Sequence, residues 1–140
     1  MIKVIKAVKE DIGALMETQV RTFLDDNKWK PPGTHQDGPP GYDSEDWNRN
    51  LIEQTPYYKI VHQGRIIGGI IIFKIAQGHF EVGRIWVAPE FQNQGIGQKS
   101  MALLFGLHQE VEKWTLGTPE WAVRNQHFYE GMGFKKVRKT

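Results

Sequence analysis

The spacing of apolar residues changes several times along this 140-residue chain, and each change marks an element. Residues 2–8 (IKVIKAV) are rich in β-branched side chains and predict a short strand. From there Ile12, Leu15, Met16, Val20, Phe23 and Leu24 fall at helical spacing, with Glu10 and Asp11 where a helix start favours acids. A first helix over about 9–25 follows. Ser44 is a suitable N-cap for a second helix, whose apolar side would be Trp47, Leu51 and Ile52.

Strand patterns come next. Residues 57–62 (YYKIVH) read as a strand, and Gln63-Gly64 turns it into a second over Arg65–Ile75. Gly68-Gly69 inside that strand predicts a bulge or a close backbone approach. Gln77-Gly78 turns the chain again into a strand over about 79–88. Met101, Leu103, Leu104, Phe105 and Leu107 then mark a helix over 99–109. A strand at 111–116, a helix at about 120–131 and a last strand at 134–139 complete the order. An antiparallel meander followed by strand–helix–strand crossovers predicts an α/β (α+β) fold with a mixed, mostly antiparallel sheet. The count is six strands and about four helices in a single domain, 1–140.

Residues 26–43 interrupt this order with four of the seven prolines and three glycines. No element runs through such a segment, and loops of that length are commonly either functional lids or disordered. Its Trp29 and Tyr42 suggest that something is packed or gripped there.

Composition narrows the chemistry. The chain has no cysteine, which excludes disulfides, thiolate metal sites and cysteine nucleophiles. The longest apolar stretch, Ile66–Ile72, contains two glycines and is too short to span a bilayer. With no signal-like N-terminus either, the expectation is a cytoplasmic protein without a membrane partner. Eighteen basic residues against sixteen acidic ones give a formal charge of +2. Basic residues cluster at Lys135, Lys136, Arg138 and Lys139, which read as a solvated tail rather than a nucleic-acid footprint.

The segment with most chemical content is 84–104, RIWVAPEFQNQGIGQKSMALL. A strand ends before Pro89, and a loop with Gly95 and Gly97 opens onto a helix. The amides at a helix start lack intrahelical partners and carry partial positive charge, so such a loop suits a diphosphate. The same glycines would also serve a plain strand-to-helix turn. Neither G-x-x-x-x-G-K-[ST] nor G-x-G-x-x-G is present, since Ser100 stands five after Gly95 and three after Gly97.

Val87-Ala88-Pro89-Glu90-Phe91-Gln92-Asn93-Gln94-Gly95-Ile96-Gly97 closely resembles the acetyl-CoA signature of the GNAT N-acetyltransferases, V-x-P-x-x-[QR]-x-x-G-x-[GA]. Residues 125–134 (NQHFYEGMGF) resemble the family's second motif, with Asn125, Phe128, Tyr129, Gly133 and Phe134 in register. The resemblance implies a GNAT-like fold that uses acetyl-CoA as co-substrate, with no metal. Backbone groups of Gln92, Asn93, Gln94, Gly95, Ile96, Gly97 and Gln98 would bind the pyrophosphate. Trp86 and Val87 would pair with the pantetheine arm, and Asn125 would contact the cofactor. The usual last strand of the family is missing after Thr140, so a homodimer supplying that edge is one expectation.

An amine acceptor is protonated at neutral pH and must lose a proton before it attacks a thioester. Tyr129 is the candidate acid for the leaving thiolate, and Glu81 the candidate base, with His79 as the alternative. The acceptor, a small molecule or peptide amine, is not legible. Asp37, Asp43, Glu45 and Asp46 with Trp29, Tyr42 and Trp47 would suit a cation, and equally would serve as ordinary caps and core. A non-catalytic acyl-CoA sensor is the alternative reading.

Overall fold

The computed structural model describes residues 1–26 and 41–116. Five strands form one mixed sheet in sequence order: β1 (Ile2–Lys6), β2 (Tyr57–His62), β3 (Arg65–Ala76), β4 (His79–Val87) and β5 (Lys113–Leu116). The first three pairings are antiparallel and β4–β5 is parallel. Three α-helices accompany it: α1 (Ile12–Asp26), α2 (Glu45–Gln54) and α3 (Ile96–Leu107). Among the described residues no helix is long and apolar enough to cross a membrane. The sixth strand expected at 134–139, the helix at 120–131 and the loop residues 27–40 lie outside the described residues.

Most elements follow from their local chemistry. Ser44 caps α2 as expected, its Oγ accepting the Trp47 N–H at 3.2 Å. Both tight turns use left-handed residues, Gln63 (φ 52°) with Gly64 (φ 76°) and Gly78 (φ 72°). Gly68 and Gly69 mark a close approach. A Cβ on Gly68 would collide with the Trp86 carbonyl oxygen, and one on Gly69 would stand 2.5 Å from the Trp86 ring.

Two boundaries shift. Residues 9–11 form a 3-10 turn rather than the first turn of α1. Asp11 explains it, because Oδ2 accepts the Val8 N–H at 2.9 Å while Oδ1 accepts from Lys59 Nζ at 3.2 Å. The third helix begins at Ile96, three residues before the predicted start, because Gly95 takes φ 76° and its carbonyl accepts the Lys99 N–H at 3.0 Å.

The sheet separates two apolar layers. On one face Ile60, Ile67, Ile70, Ile72 and Val82 pack with Met101 and Leu104 of α3. On the other Leu15, Tyr57, Ile71 and Trp86 pack with Phe23, Trp47 and Leu51 of α1 and α2. The buried side of α1 matches the predicted stripe only in part, with Phe23 packed against the core as expected. Ile12 and Leu15 are buried, but so are Thr18, Gln19 and Thr22, while Leu24 is 47% exposed.

Candidate active site

β4 carries the site. Its ladder with β3 pairs Ile71 with Arg84 and then Ile72 with Val82, so Gly83 is the extra residue of a bulge. The parallel pairing with β5 runs from His79↔Lys113 to Val82↔Leu116, and β4 continues to Val87. Among the described residues no strand pairs with 83–87 on that side.

Alternation decides which main-chain groups face that edge. The Ala88 N–H donates to the Ile67 carbonyl at 2.7 Å, so residues 84 and 86 also turn their main chain toward β3. Ile85 and Val87 therefore turn theirs the other way. Of the pair Trp86 and Val87, only Val87 addresses the open edge; Trp86 spends its main chain on β3 and sends its indole into the α1/α2 layer.

The loop after β4 is tied down by its own side chains. Gln92 Nε2 donates to the Val87 carbonyl at 2.8 Å, and Gln94 Nε2 to the Glu90 carbonyl at 3.3 Å. Residues 89–91 form a 3-10 turn with Pro89 at its start. Asn93 (φ 64°) and Gly95 (φ 76°) take left-handed conformations that wind the chain into α3. A Cβ on Gly95 would meet nothing within 4 Å, so conformation and not crowding is what calls for glycine. The amides of Ile96, Gly97 and Gln98, in the first turn of α3, precede the first intrahelical bond at Lys99. They converge where an anion would gain from the helix dipole.

Glu90 anchors this loop to the scaffold. Arg21 Nη1 of α1 lies 2.6 Å from Glu90 Oε1, and Arg65 Nη2 of β3 lies 3.4 Å from Oε2. The Arg21 hydrogen bond, with a main-chain N–H and Arg65 in support, holds the Glu90 carboxyl below its ordinary value. Arg21 also pairs with Glu17 one turn back on α1.

A polar network fills the layer under α1 and α2. Trp86 Nε1 donates to Thr18 Oγ1 at 2.9 Å, and Thr22 Oγ1 lies 3.2 Å from the Val87 carbonyl. Gln19 Nε2 donates to Asn48 Oδ1 at 2.8 Å and to Tyr57 Oη at 3.0 Å, while Tyr57 Oη donates to Asn48 Oδ1 at 2.6 Å. Burial pushes the Tyr57 phenol up, so it stays a neutral donor. Arg84 Nη1 donates to Gln19 Oε1 at 3.2 Å, with its guanidinium carbon 4.5 Å from the Trp47 ring centre.

The predicted chemical residues are distributed unevenly. Glu81 is half-buried on β4, on the face shared with Arg84 and Trp86, since Phe80 and Val82 belong to the α3 layer. His79 shares that face, and its Nε2 lies 3.0 Å from Thr115 Oγ1, a contact that suits a structural role. Tyr129 and Asn125 lie outside the described residues, as do Asp37 and Trp29. Glu45 and Asp46 are exposed and engage Arg49 at 3.0 and 3.2 Å, and Trp47 lies under Arg84. Thr18, Gln19, Thr22, Asn48 and Arg84 escaped the sequence reading, because polar side chains at core spacing carry no signal of their own.

A model of the acetyltransferase (GNAT) family matches residues 20–134. The chain belongs to that family. The similar proteins are distant in sequence. The protein YrkN of Bacillus subtilis strain 168 is 26% identical over 98 residues, which are 69% of this chain and 53% of YrkN. The chain thus spans about half the length of that curated relative. Among solved structures, the PaiA N-acetyltransferase of Thermoplasma acidophilum in complex with coenzyme A superposes with a TM-score of 0.82. It is 19% identical, and the match covers 100% of this chain and 93% of that one. A GNAT family acetyltransferase from Elizabethkingia anophelis with acetyl-CoA bound has a TM-score of 0.65 at 18% identity, covering 98% and 78% of the two chains. At these identities the superpositions establish a shared GNAT fold.

Proposed function

We propose that this GNAT domain moves an acetyl group from acetyl-CoA to an amine acceptor by direct attack in a ternary complex. The observation that carries the reading is the adjacency of two features. The main chain of Ile85 and Val87 faces an edge that no described strand occupies, and the chain then passes directly into the Gly95 turn and the first-turn amides of α3. A pantetheine arm is an amide-bearing rod that can add to a strand edge as another strand would. The diphosphate of the same molecule suits the amides of 96–98 and the loop Gln92–Gln98. Acetyl-CoA carries both groups on one chain, and the solved relatives that hold coenzyme A or acetyl-CoA support the assignment.

The cofactor supplies a thioester. The residues of the chain supply position and proton transfer. The Val87 N–H, on the open side of β4, would hold the carbonyl oxygen as it becomes an oxyanion. Glu81 would take the proton of the ammonium, directly or through one water, so that the nitrogen lone pair is released. The C–N bond would form to give the oxyanion, and the C–S bond would break as it collapses; Tyr129 would give its proton to the departing thiolate, and the second proton of the nitrogen would pass through water to the tyrosinate. Asn125 would hold the cofactor near its arm, on the strength of the motif it shares with Tyr129.

Two measurements test this. Calorimetric titration with acetyl-CoA should show saturable binding near one equivalent, and thiol release should rise when an amine library is added. Binding with no thiol release across the library would favour a non-catalytic acyl-CoA sensor. No binding would remove the whole reading.

A further inference from the structure

The segment that leads from β4 into α3 contains a single acid. Between Glu81 and Glu110 the sequence has no carboxylate other than Glu90, which stands at the head of the loop 92–98. Gln94 Nε2 donates to the Glu90 carbonyl at 3.3 Å, so the loop turns back to the residue that carries this charge. The Arg21 hydrogen bond holds the carboxyl below its ordinary value, which keeps it an anion at neutral pH. A loop whose amides suit a diphosphate thus carries at its start a charge that repels one.

The compensation comes from outside the loop. Arg21 Nη1 reaches Glu90 Oε1 from α1 at 2.6 Å, and Arg65 Nη2 of β3 lies 3.4 Å from Oε2. With the Arg21–Glu17 pair, Glu17, Arg21, Glu90 and Arg65 make a chain of alternating sign whose formal charges cancel. Arg65 is the weaker partner, with the longer contact and a side chain 62% exposed against 35% for Arg21. A tether is not what the loop lacks. Gln92 Nε2 already ties it to the Val87 carbonyl at 2.8 Å, and Phe91 packs against the α3 layer. Its own residues offer nothing that cancels the Glu90 charge; α1 does.

We infer that Arg21 is a positioning residue that acts on the cofactor through charge, neutralising Glu90 so that the loop can take the diphosphate of coenzyme A. The inference rests on the acetyltransferase reading above and adds a residue of α1 to that site. A mechanical tether would make the two members of the pair equivalent, since removing either one breaks the same contact. Neutralisation makes them opposite. Without Arg21 a negative charge beside the diphosphate is left uncompensated, whereas without the Glu90 charge the chain of four has a positive excess.

Calorimetric titration of the full chain with coenzyme A, which binds without turnover, tests this. R21Q is expected to weaken binding by about 3–10-fold, the scale of one charge several ångströms away in a partly exposed site. E90Q is expected to tighten it by a similar factor, because its amide oxygen still accepts from Arg21 while the negative charge is gone. R21Q/E90Q should return close to the wild type. Added salt should shrink all of these differences, since the groups are partly exposed. Weaker binding in both single variants overturns the inference and leaves only a tether, and equal affinity in all four proteins overturns it as well. Should R21Q not fold, the sign of the change in E90Q decides alone. Failure of the wild type to bind coenzyme A removes the acetyltransferase reading itself, whereas binding with changes of the same sign removes only the role of Arg21.

Discussion

The Trp86 indole N–H donates to Thr18 Oγ1 at 2.9 Å, and this joins the strand that leads into the Gly95 loop to the middle of α1. Both residues are buried, Trp86 at 2% and Thr18 at 1% exposure. Thr18 Oγ1 also donates to the Leu15 carbonyl at 2.9 Å, so the hydroxyl is used in both directions. Thr18→Val keeps the shape and strands the indole donor in a dry layer. The expected loss is about 1–3 kcal/mol of unfolding free energy, read by chemical denaturation. Thr18→Ser should recover most of it. Equal stability of all three proteins would show that the bond contributes nothing.

Gly95 offers a separation of conformation from crowding. Its φ of 76° places it in the left-handed region, with open space where a Cβ would stand. Gly95→Ala should therefore fold, at a strain of about 1–2 kcal/mol. Because the strained residue directly precedes the amides of 96–98, relief of strain would rotate them away from the diphosphate. Acetyl-CoA affinity is expected to fall about tenfold or more while far-ultraviolet circular dichroism stays unchanged. Affinity equal to the wild type would mean that this turn does not position the anion site.

Glu90 predicts an acid-sensitive anchor. Its folded pKa is depressed, chiefly by the Arg21 hydrogen bond, below the ordinary carboxylate value of 4.5. A depressed folded pKa stabilises the fold above the unfolded pKa, and the contribution disappears as pH falls through the folded pKa. The stability difference between wild type and Glu90→Gln should thus be constant near neutrality and shrink below about pH 4.5. The group is 41% exposed, so salt should reduce the difference too. A difference that grows on acidification would contradict the sign.

The proposed acid and base differ in their kinetic signatures. Tyr129→Phe should cut kcat by about 100-fold or more with acetyl-CoA binding nearly unchanged, since only the transition state uses the phenol proton. Glu81→Gln should lower kcat with acetyl-CoA binding nearly unchanged. His79→Gln should do neither, given the Thr115 contact that occupies the ring. Equal loss of binding and turnover in Tyr129→Phe would assign that residue to structure.

Local chemistry was enough for much of the architecture. The turns at Gln63-Gly64 and Gln77-Gly78 define the β2–β3–β4 meander because Gly64 and Gly78 take left-handed conformations that favour glycine whatever surrounds them. The cap at Ser44 and the glycine turn before α3 were legible for the same reason. The motif of residues 87–97 points to the acetyltransferase family from sequence alone, since it combines a strand end, a break and a helix start in fixed register.

Tertiary structure decided how far the buried side of α1 extends beyond its apolar stripe. Leu24 is exposed whereas Thr18, Gln19 and Thr22 are buried. Their partners, Trp86, Asn48, Tyr57 and Val87, come from distant elements, Trp86 standing 68 residues beyond Thr18. Polar groups at core spacing look like surface until the donors and acceptors that satisfy them are assembled. The same holds for Arg84, a charge in the sequence and a stacked, half-buried guanidinium in the fold. Hydrophobic period and turn chemistry are local, and the chain alone determined them; desolvation and hydrogen-bond closure are collective, and only the assembled layers could decide them.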